Sequence, residues 1–458
     1  MELLRNENVK KQFHTILRKF LTKNDTYDVN KFIGGLPVTL EKKDVPSLFY
    51  KKKSNYKYTV TQKVDGTRVL MYIGYDESDK RTTGKSRIVC FIDRNMEIYT
   101  IRDSRKGILP NVNTREILLD GEIVFFDKDG SSYKSLETSE VKGISFMAFD
   151  ILFGPENIDI NSDGNKIIGQ EFSMIVPENN ILRTQPWNYI NRYDILHKLI
   201  IPSKFNKEEP MLTMAFKDVN WFNIELKPIY FIQTLKDKRI LYNPDNSGYL
   251  PTVLNSYRKD FYKMLNTKFN KKNTTTFTTK KLKLDGLIFT STDTLYNIGP
   301  WNNGLNTQFK WKPIEEQTVD FYINKKNEDL AELHITKKDK QISAFQQSYK
   351  NVTANVPEYT KTGDIAEFKI EFKTDKELDF IFVELRKDKN HPNSLRTVTN
   401  VLNSFKNPVD INDIYYFLNI EKANSEKLKK ILNYSSKASL INCVINNKNN
   451  FEILDQDT

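Results

Sequence analysis

Hydrophobic runs separated by polar stretches recur between residues 58 and 153, a pattern that is typical of β-strands. Short runs rich in Val, Ile and aromatic residues are separated by polar, glycine-containing stretches that predict turns. One apolar run is bounded by Gly143 and Gly154, as is typical of a buried strand. The strands predicted in this region are 58–62, 68–75, 87–93, 96–102, 116–126 and 144–153.

Helical spacing of apolar residues predicts three helices, over 4–22, 190–201 and 255–265. Residues 268–283 are polar and rich in Thr and Lys, so a flexible loop is predicted there. Two further strands are predicted, at 285–291 and 308–312.

The pattern changes after Pro313, where short alternating runs follow one another closely. Such runs are typical of a small barrel or sandwich. The sequence therefore predicts an α+β fold. Antiparallel sheets with flanking helices occupy 1–315, a small β-barrel or sandwich occupies 316–420, and a helical tail occupies 421–458. The barrel strands are predicted at 318–323, 330–336, 365–372 and 378–385.

Composition excludes several classes of protein. The 458 residues include 70 Lys and Arg against 59 Asp and Glu, and the net charge of +11 suits a polyanionic partner. Two cysteines and four histidines supply neither a disulfide framework nor a His-rich metal centre, so a reducing compartment is expected. No apolar run approaches the roughly 18–20 residues of a membrane span. The charged N-terminal residues also differ from a secretory signal. We therefore expect a soluble intracellular protein with no membrane partner.

Lys63 is the first candidate for chemistry, in the run KVDGTR between two predicted strands. A lysine is a nucleophile only when neutral, and its reference pKa is about 10.4. Covalent catalysis therefore needs nearby cations or a desolvated pocket. Gly66 permits close approach of the backbone to a ligand, and Arg68 carries a fork of donors suited to sugar or phosphate oxygens. Taken alone, however, the run also fits an ordinary hairpin turn.

Four other motifs place chemistry on predicted strands. The run DGEIV puts Glu122 on an apolar strand, where a carboxylate is costly without a ligand, a metal or a cation. Phe149, in FD, offers an aromatic face for a base, and Asp285 begins the run DGLIF. In KWK, Lys310 and Lys312 project from one face of a strand as a clamp for phosphate oxygens. Structural explanations exist for single motifs, such as an ion pair for Glu122 and core packing for Phe149.

The order of these motifs resembles the covalent nucleotidyltransferase superfamily, which includes mRNA capping guanylyltransferases and ATP-dependent polynucleotide ligases. The resemblance covers roughly residues 30–410, and three features are similar to capping enzymes in particular. These are KWKP followed by TVDF at 318–321, RKDK at 386–389 followed by Pro392 and Asn393, and FIDR at 91–94.

This resemblance implies a nucleotidyltransferase domain followed by a C-terminal OB-fold. It also implies that Lys63 attacks the α-phosphate of GTP, releases pyrophosphate and forms lysyl-Nζ–GMP. The GMP is then transferred to 5′-diphosphate RNA to give GpppN-RNA. Mg²⁺ or Mn²⁺ is implied as cofactor, with Glu122 and Asp285 as metal ligands. The sequence departs from the family where Lys283 and Leu284 precede Asp285, since a polar or acidic residue is common there.

Other residues take their implied roles from the family motifs. Arg68 and Glu122 hold the ribose hydroxyls, and Phe149 stacks on guanine. Lys310 and Lys312 grip the α-phosphate. The remaining implied nucleotide-binding residues are Arg94, Lys227, Asp320, Arg386, Asp388 and Lys389, and the last four lie on the OB-fold, which closes over GTP in this family.

Two alternatives remain open. An ATP-dependent DNA or RNA ligase uses the same lysine with AMP, and the sequence does not show which base is bound. A non-catalytic OB-fold protein that binds nucleic acid would keep the basic charge but has no need of Lys63, Glu122 and the clamp lysines.

Capping also requires an RNA triphosphatase and a cap methyltransferase. The sequence carries a motif for neither, so separate partner proteins, or regions of a longer chain, are expected to supply these steps. Large cytoplasmic DNA viruses often encode capping enzymes of this general kind, and the Asn-, Lys- and Ile-rich composition suits an AT-rich genome. This predicts a cytoplasmic location, in a viral factory or virion, with a nuclear one as the alternative.

Overall fold

The computed structural model describes about half of the chain, and all structural statements below concern these residues. They are 2–3, 10–11, 13–15, 32–42, 44–45, 48, 58–75, 87–100, 117–134, 140–155, 175–176, 181–183, 188–200, 221–231, 274–277, 280–292, 294–296, 308–337, 340–343, 346–347, 350–374, 377–387, 389–406 and 408–409.

Strands dominate the described residues, and helices are few. Among the described residues, the helices with complete bounds are α1 (Tyr189–Ile200) and α2 (Leu395–Lys406), and a 3₁₀ turn lies at Ile314–Glu316. The strands are β1 (Glu2–Leu3), β2 (Val38–Thr39), β3 (Tyr58–Val64), β4 (Thr67–Tyr75), β5 (Arg87–Ile92), β6 (Ile98–Thr100), β7 (Ile117–Phe126), β8 (Ser132–Tyr133), β9 (Gly143–Pro155), β10 (Ile175–Val176), β11 (Ile181–Arg183), β12 (Trp221–Leu226), β13 (Tyr230–Phe231), β14 (Thr274–Phe277), β15 (Lys280–Ser291), β16 (Gln308–Trp311), β17 (Thr318–Lys325), β18 (Leu330–Lys337), β19 (Lys340–Ser343), β20 (Gln346–Gln347), β21 (Lys350–Asn351), β22 (Thr353–Asn355), β23 (Ile365–Thr374) and β24 (Glu377–Leu385).

The chain divides into two compact units. The first comprises Met1–Pro37 and Lys53–Phe309, and the second comprises Val38–Lys52 and Lys310–Thr458. The change of unit at Phe309 lies near the boundary predicted at residue 315. The predicted tail, 421–458, lies outside the described residues.

The main sheet of the first unit runs in the order β1-β6-β5-β4-β7-β9-β11-β10, with β8 on β7 and β12 on β9. It forms because β4, β7 and β9 are apolar on both faces, so that each strand is covered on either side. Helix α1 covers one face and contributes Tyr193, Leu196 and Leu199 to the core. The predicted strands of this region and the helix predicted at 190–201 are confirmed.

A second sheet in the first unit pairs β3 with β15 in antiparallel register and adds β13 to β3 and β14 to β15. The loop predicted over 268–283 is therefore wrong in part, because β14 and the first residues of β15 form a ladder from Thr274 to Lys283. Its Thr and Lys residues suit a polar strand as well as a loop, since threonine is β-branched.

The second unit contains an antiparallel sheet in the order β19-β18-β17-β23-β24, with β22 on β18. Cα atoms of β22 also lie within 8 Å of β24, so the strands form a nearly closed barrel. Phe321, Phe368 and Phe380 fill it with edge-to-face ring contacts. The predicted fold class, an α+β domain followed by a β-barrel, is confirmed.

Helix α2 packs on the barrel core and was not predicted. Its buried residues Val398, Val401, Leu402 and Phe405 recur every three or four positions, which is the spacing of an amphipathic helix. Ser394 caps its first turn, since its Oγ accepts a hydrogen bond from Thr397 N at 3.2 Å.

Two other predicted helices are only partly testable. Of the segment 4–22, residues 10–11 and 13–15 are described and helical, whereas 255–265 lies outside the described residues. Within the described part of the chain, no helix has both the length and the apolar composition that crossing a bilayer requires.

Candidate active site

Lys63 lies near the end of β3 and faces Asp285 on the adjacent strand β15. Its Nζ donates to Oδ1 and Oδ2 of Asp285 at 2.7 Å each. Asp285 is the extra residue of a β-bulge, because Val64 pairs with Leu284 and Lys63 pairs with Gly286. Gly286 has a φ of +151°, which favours glycine. The Asp-Gly motif thus turns the carboxylate toward the lysine. The side chain of Lys63 is 21% exposed, so it is only partly buried.

The turn after Lys63 is held by a second carboxylate. Asp65 is buried and forms ion pairs with Lys134 at 3.1 Å and Lys283 at 2.9 Å. Its backbone N–H also donates to Lys283 O at 2.9 Å. Lys283, which marks the departure from the family pattern, therefore stabilises the turn that carries the candidate nucleophile.

Glu122 and Lys227 form an ion pair on the floor of the site. Lys227 Nζ donates to Oε2 of Glu122 at 3.1 Å, and the lysine side chain is only 3% exposed. A Cβ at Gly66 would lie 2.8 Å from Cγ of Glu122, so the glycine allows the turn to rest directly on this carboxylate. Burial of a charged lysine destabilises a protein unless an opposite charge lies beside it, and Glu122 is that opposite charge for Lys227.

Arg68 lies beside Glu122 in the sheet and is held by Asp120. Its Nε donates to Oδ1 at 3.0 Å and its Nη2 donates to Oδ2 at 2.6 Å, while Nη1 donates to Gly35 O at 2.6 Å. Burial would lower the pKa of Arg68, but Asp120 outweighs this effect and raises it. The guanidinium therefore stays charged and fixed in direction.

Phe149 is the extra residue of a bulge in β9, because Asp150 pairs with Asp120 while Ala148 pairs with Gly121. Its ring centre lies 5.3 Å from the guanidinium carbon of Arg68 and 5.3 Å from Nζ of Lys227. The structure thus brings the predicted residues Arg68, Glu122, Phe149 and Lys227 into one cluster, and Asp285 and Lys63 into one ion pair.

Behind this cluster lies a buried network that motif reasoning missed. Arg192 donates two hydrogen bonds to Asp150, at 2.7 and 2.9 Å, and Tyr296 OH donates to Oδ2 of Asp120 at 2.7 Å. Burial raises the pKa of Asp150, although Arg192 acts in the opposite direction. Burial and then the charge of Asp120 raise the pKa of Tyr296 well above its ordinary value. Arg192 lies in no motif. The only sequence signal for it is that a charged residue stands among the apolar positions of helix α1.

The second unit gathers its own predicted residues around Asp320. Arg386 Nη1 donates to Oδ1 of Asp320 at 2.9 Å, and Lys389 Nζ donates to Oδ2. Two further residues join the cluster without having been predicted. Asn393 Nδ2 donates to Oδ2 of Asp320 at 3.1 Å, and Glu367 Oε2 accepts from Arg386 Nη1 at 3.1 Å.

The remaining predicted residues lie elsewhere in the chain. Lys310 and Lys312 are half-buried and flank Trp311, whose Nε1 donates to Val409 O at 2.7 Å. Arg94 is exposed in the turn that follows β5, and Asp388 lies outside the described residues. No group of three or more His, Cys, Asp or Glu side chains converges in the part of the chain that the structure describes.

Two family models match the chain. The mRNA capping enzyme catalytic domain matches residues 2–161, and the mRNA capping enzyme C-terminal domain matches residues 291–415. Together they span more than half of the chain. The chain belongs to the mRNA capping enzyme family. It is thus an enzyme of the nucleotidyltransferase superfamily, and its capping-enzyme catalytic domain is that of a GTP:RNA guanylyltransferase. Lys227 and Asp285 lie between the matched segments.

Solved structures similar to this capping enzyme include ligases. The ligase domain of LigD from M. tuberculosis has 12% identity and a TM-score of 0.30, and the match covers 79% of this chain and 97% of that one. A structure titled Pmar-Lig_PreS3 has 11% identity and a TM-score of 0.31, covering 82% of this chain and 72% of that one. No curated protein matches the chain.

Proposed function

We propose that this capping enzyme is an mRNA 5′-capping guanylyltransferase that works through a covalent intermediate on Lys63. The observation that carries the proposal is the contact of Lys63 Nζ with both carboxylate oxygens of Asp285. The same unit also gathers Arg68 and Lys227 around the ring of Phe149. A primary amine that is partly exposed and held by a carboxylate fits a nucleophile for phosphorus.

In the first step, the lone pair of Nζ attacks the α-phosphorus of GTP. The P–N bond forms as the bond to the β-phosphate oxygen breaks, so that pyrophosphate leaves and lysyl-GMP remains. Lys63 must lose its ammonium proton before it attacks, and Asp285, at 2.7 Å, is the base within reach.

In the second step, a terminal oxygen of 5′-diphosphate RNA attacks the same phosphorus. The P–N bond breaks, GpppN-RNA forms, and Nζ recovers its proton. The net charge of +11 supports an RNA partner, since polyanions bind through cationic surface.

The cluster around Phe149 supports a nucleotide in this position. Phe149 stacks on guanine, and Arg68 donates to the ribose with the N–H groups that Asp120 and Gly35 leave unused. Glu122 accepts from the ribose hydroxyls, and Lys227 binds the base or a phosphate.

The second unit supplies cations for the polyphosphate. Lys310 and Lys312 stabilise the α-phosphate, whereas Arg386 and Lys389 bind the β- and γ-phosphates during the first step only. Asp320 holds both of these cations in place. Arg94 adds a further cation to the proposed nucleotide-binding set, and Asp388 belongs to that set as the acidic residue of the RKDK motif.

A divalent cation, Mg²⁺ or Mn²⁺, belongs to this proposal. Mg²⁺ is usually held by one or two carboxylates together with substrate phosphates. Glu122 fits that role because Lys227 uses only Oε2, whereas both oxygens of Asp285 are occupied by Lys63. When bound by Glu122 and the phosphates, such a cation would supply positive charge to the departing pyrophosphate.

The test is labelling with α-³²P-GTP and Mg²⁺, followed by denaturing electrophoresis. We expect a denaturation-resistant adduct with wild-type protein and none with Lys63→Ala. Lys326→Ala is the matched control, because Lys326 also pairs with a carboxylate, Glu332, at 2.9 Å. An undiminished adduct in Lys63→Ala contradicts the proposal.

Two comparisons complete the test. Label from ATP alone identifies the chain as an ATP-dependent ligase. Release of the adduct by 5′-diphosphate RNA, but not by 5′-monophosphate RNA, identifies the acceptor. We further propose that a separate RNA triphosphatase and cap methyltransferase act before and after this step, in a cytoplasmic viral setting.

A further inference from the structure

Helix α1 presents three buried polar side chains on one face, at positions 189, 192 and 193. Residues three and four apart share a helix face, so these side chains point the same way. Tyr189 OH donates to Phe149 O at 3.3 Å, and Tyr193 OH donates to Lys227 O at 2.9 Å. One helix thus contacts the backbone of both residues that the proposed function places around the base.

Arg192 makes the strongest of these connections. Its side chain is 1% exposed, and burial of a guanidinium is costly unless every partner is in place. Two of its nitrogens donate to Asp150, and Nη1 donates to Thr294 O at 2.9 Å. A bidentate pair of this kind fixes direction as well as distance, so Asp150 is held rigidly.

Phe149 precedes Asp150 in the bulge of β9, where it has no partner residue in the adjoining strand. The hydrogen-bonded pairing of β9 with β7 therefore does not set the direction of the Phe149 side chain. A β-bulge can change the direction in which a side chain points. The contacts from α1 to Phe149 O and to the Asp150 carboxylate supply that constraint.

We propose that Arg192, assisted by Tyr189 and Tyr193, is a positioning residue that orients Phe149 and thereby sets the affinity for the purine base. This inference rests on the proposed function and deepens it. Arg192 touches neither nucleotide nor reacting atoms and acts through Asp150. Loss of the bidentate contact between Arg192 and Asp150 should weaken GTP binding, while the rate at which bound GTP reacts with Lys63 should stay unchanged.

The experiment measures lysyl-GMP formation against GTP concentration for wild type, Arg192→Lys and Tyr189→Phe. Asn191→Ala is the matched control on the same helix, because its side chain forms none of these three contacts. We expect Arg192→Lys to raise the half-saturating GTP concentration about tenfold, the scale of a disturbed base–aromatic stack. The rate at saturating GTP should change less than about twofold.

A double-variant cycle separates positioning from general damage. If Arg192 acts through Phe149, Arg192→Lys adds little to the half-saturation of Phe149→Ala. An equal rise in both backgrounds overturns the inference. If Arg192→Lys does not fold, Tyr189→Phe decides, with a rise of about threefold expected from the loss of one hydrogen bond. If the half-saturating GTP concentration of Tyr189→Phe equals that of wild type, the inference is overturned.

Failure of the two proposals can be told apart. Wild-type protein that forms no adduct overturns the proposed function and this inference with it. Normal wild-type labelling with an unchanged half-saturation in folded Arg192→Lys overturns only the inference about α1.

Discussion

Lys63 and Asp285 are 222 residues apart in sequence, yet Nζ of the lysine lies 2.7 Å from both carboxylate oxygens. The contact exists because β3 and β15 pair and because a bulge displaces Asp285 from the ladder. A charge-assisted contact of this kind orients the amine and offers a proton acceptor at the same place.

Asp285→Asn tests that double role. The amide keeps the shape of the side chain but cannot accept the proton that Lys63 must lose before it attacks. Because general base catalysis contributes about 10²–10⁴-fold, we expect the rate of lysyl-GMP formation to fall at least about 100-fold. Stopped labelling with α-³²P-GTP measures this rate. Asp329→Asn, an exposed aspartate of the second unit, is the control, and equal rates in both variants contradict the role of Asp285.

Motifs in the sequence were sufficient to single out Lys63, Asp285, Glu122 and Phe149 as candidates, because each motif is local. The bulges that aim Asp285 and Phe149 were not predictable, since a bulge is a mismatch between two strands and belongs to neither sequence alone. Arg192 was missed for a similar reason, because its partner Asp150 lies 42 residues away.

Elements were predictable where burial imposes a clear period. Strand β4 and helix α1 have strong apolar patterns and were found. Strand β14 is polar, so composition favoured a loop. Helix α2 was missed although Val398, Val401 and Leu402 have helical spacing, because β-branched residues within it have modest helix propensity.

Gly66→Ala should damage the site by steric contact. The new Cβ would lie 2.8 Å from both Glu122 Cγ and Ile123 O, and the backbone oxygen cannot move aside cheaply. We expect a loss of about 1–3 kcal/mol in the free energy of unfolding, together with weaker adduct formation. Urea denaturation and GTP labelling measure the two effects.

Gly363→Ala is the matched comparison for this variant. Gly363 has a φ of +107°, but a Cβ added there would meet no atom within 4 Å. The variant should lose about 1 kcal/mol from backbone strain alone and label normally. Equal labelling defects in the two variants would show that Gly66 acts only through stability.

Asp120 should be far more important for stability than its partner Tyr296. Asp120→Asn leaves the buried guanidinium of Arg68 without its charge partner, and breaking such a pair costs about 3–5 kcal/mol. Tyr296→Phe removes a single hydrogen bond and should cost about 1 kcal/mol. Denaturant titrations of both variants measure the two losses in unfolding free energy. Similar losses would contradict the greater importance of Asp120.

The barrel contains a carboxylate whose contribution depends on pH. Burial raises the pKa of Glu332, but hydrogen bonds from Lys326 and His334 outweigh it, so its pKa lies below the ordinary 4.5. The folded state therefore binds fewer protons than the unfolded state. The resulting stability is fully present above about pH 4.5 and is lost as the pH falls through the folded pKa.

Glu332→Gln should remove this pH dependence. The difference in unfolding free energy between wild type and variant should be constant near pH 7 and should shrink below about pH 4.5. Urea titrations at about pH 7, 5, 4 and 3 measure it. Asp329→Asn, which alters an exposed carboxylate, is the control. A difference that grows on acidification would show that the sign is wrong.

Arg386 and Lys389 both donate hydrogen bonds to the carboxylate of Asp320, and Arg386 Nη1 also donates to Glu367 at 3.1 Å. The two cations are therefore held at one place on the barrel. If they bind the β- and γ-phosphates, Lys389→Ala should slow lysyl-GMP formation about tenfold or more, because a hydrogen bond to a charged group is lost. Transfer of GMP from preformed adduct to 5′-diphosphate RNA should change less than about twofold, since pyrophosphate has already left. Single-turnover assays of the two steps measure the split, with the exposed Lys361→Ala as control. Normal adduct yield in Lys389→Ala would remove the barrel from the first step.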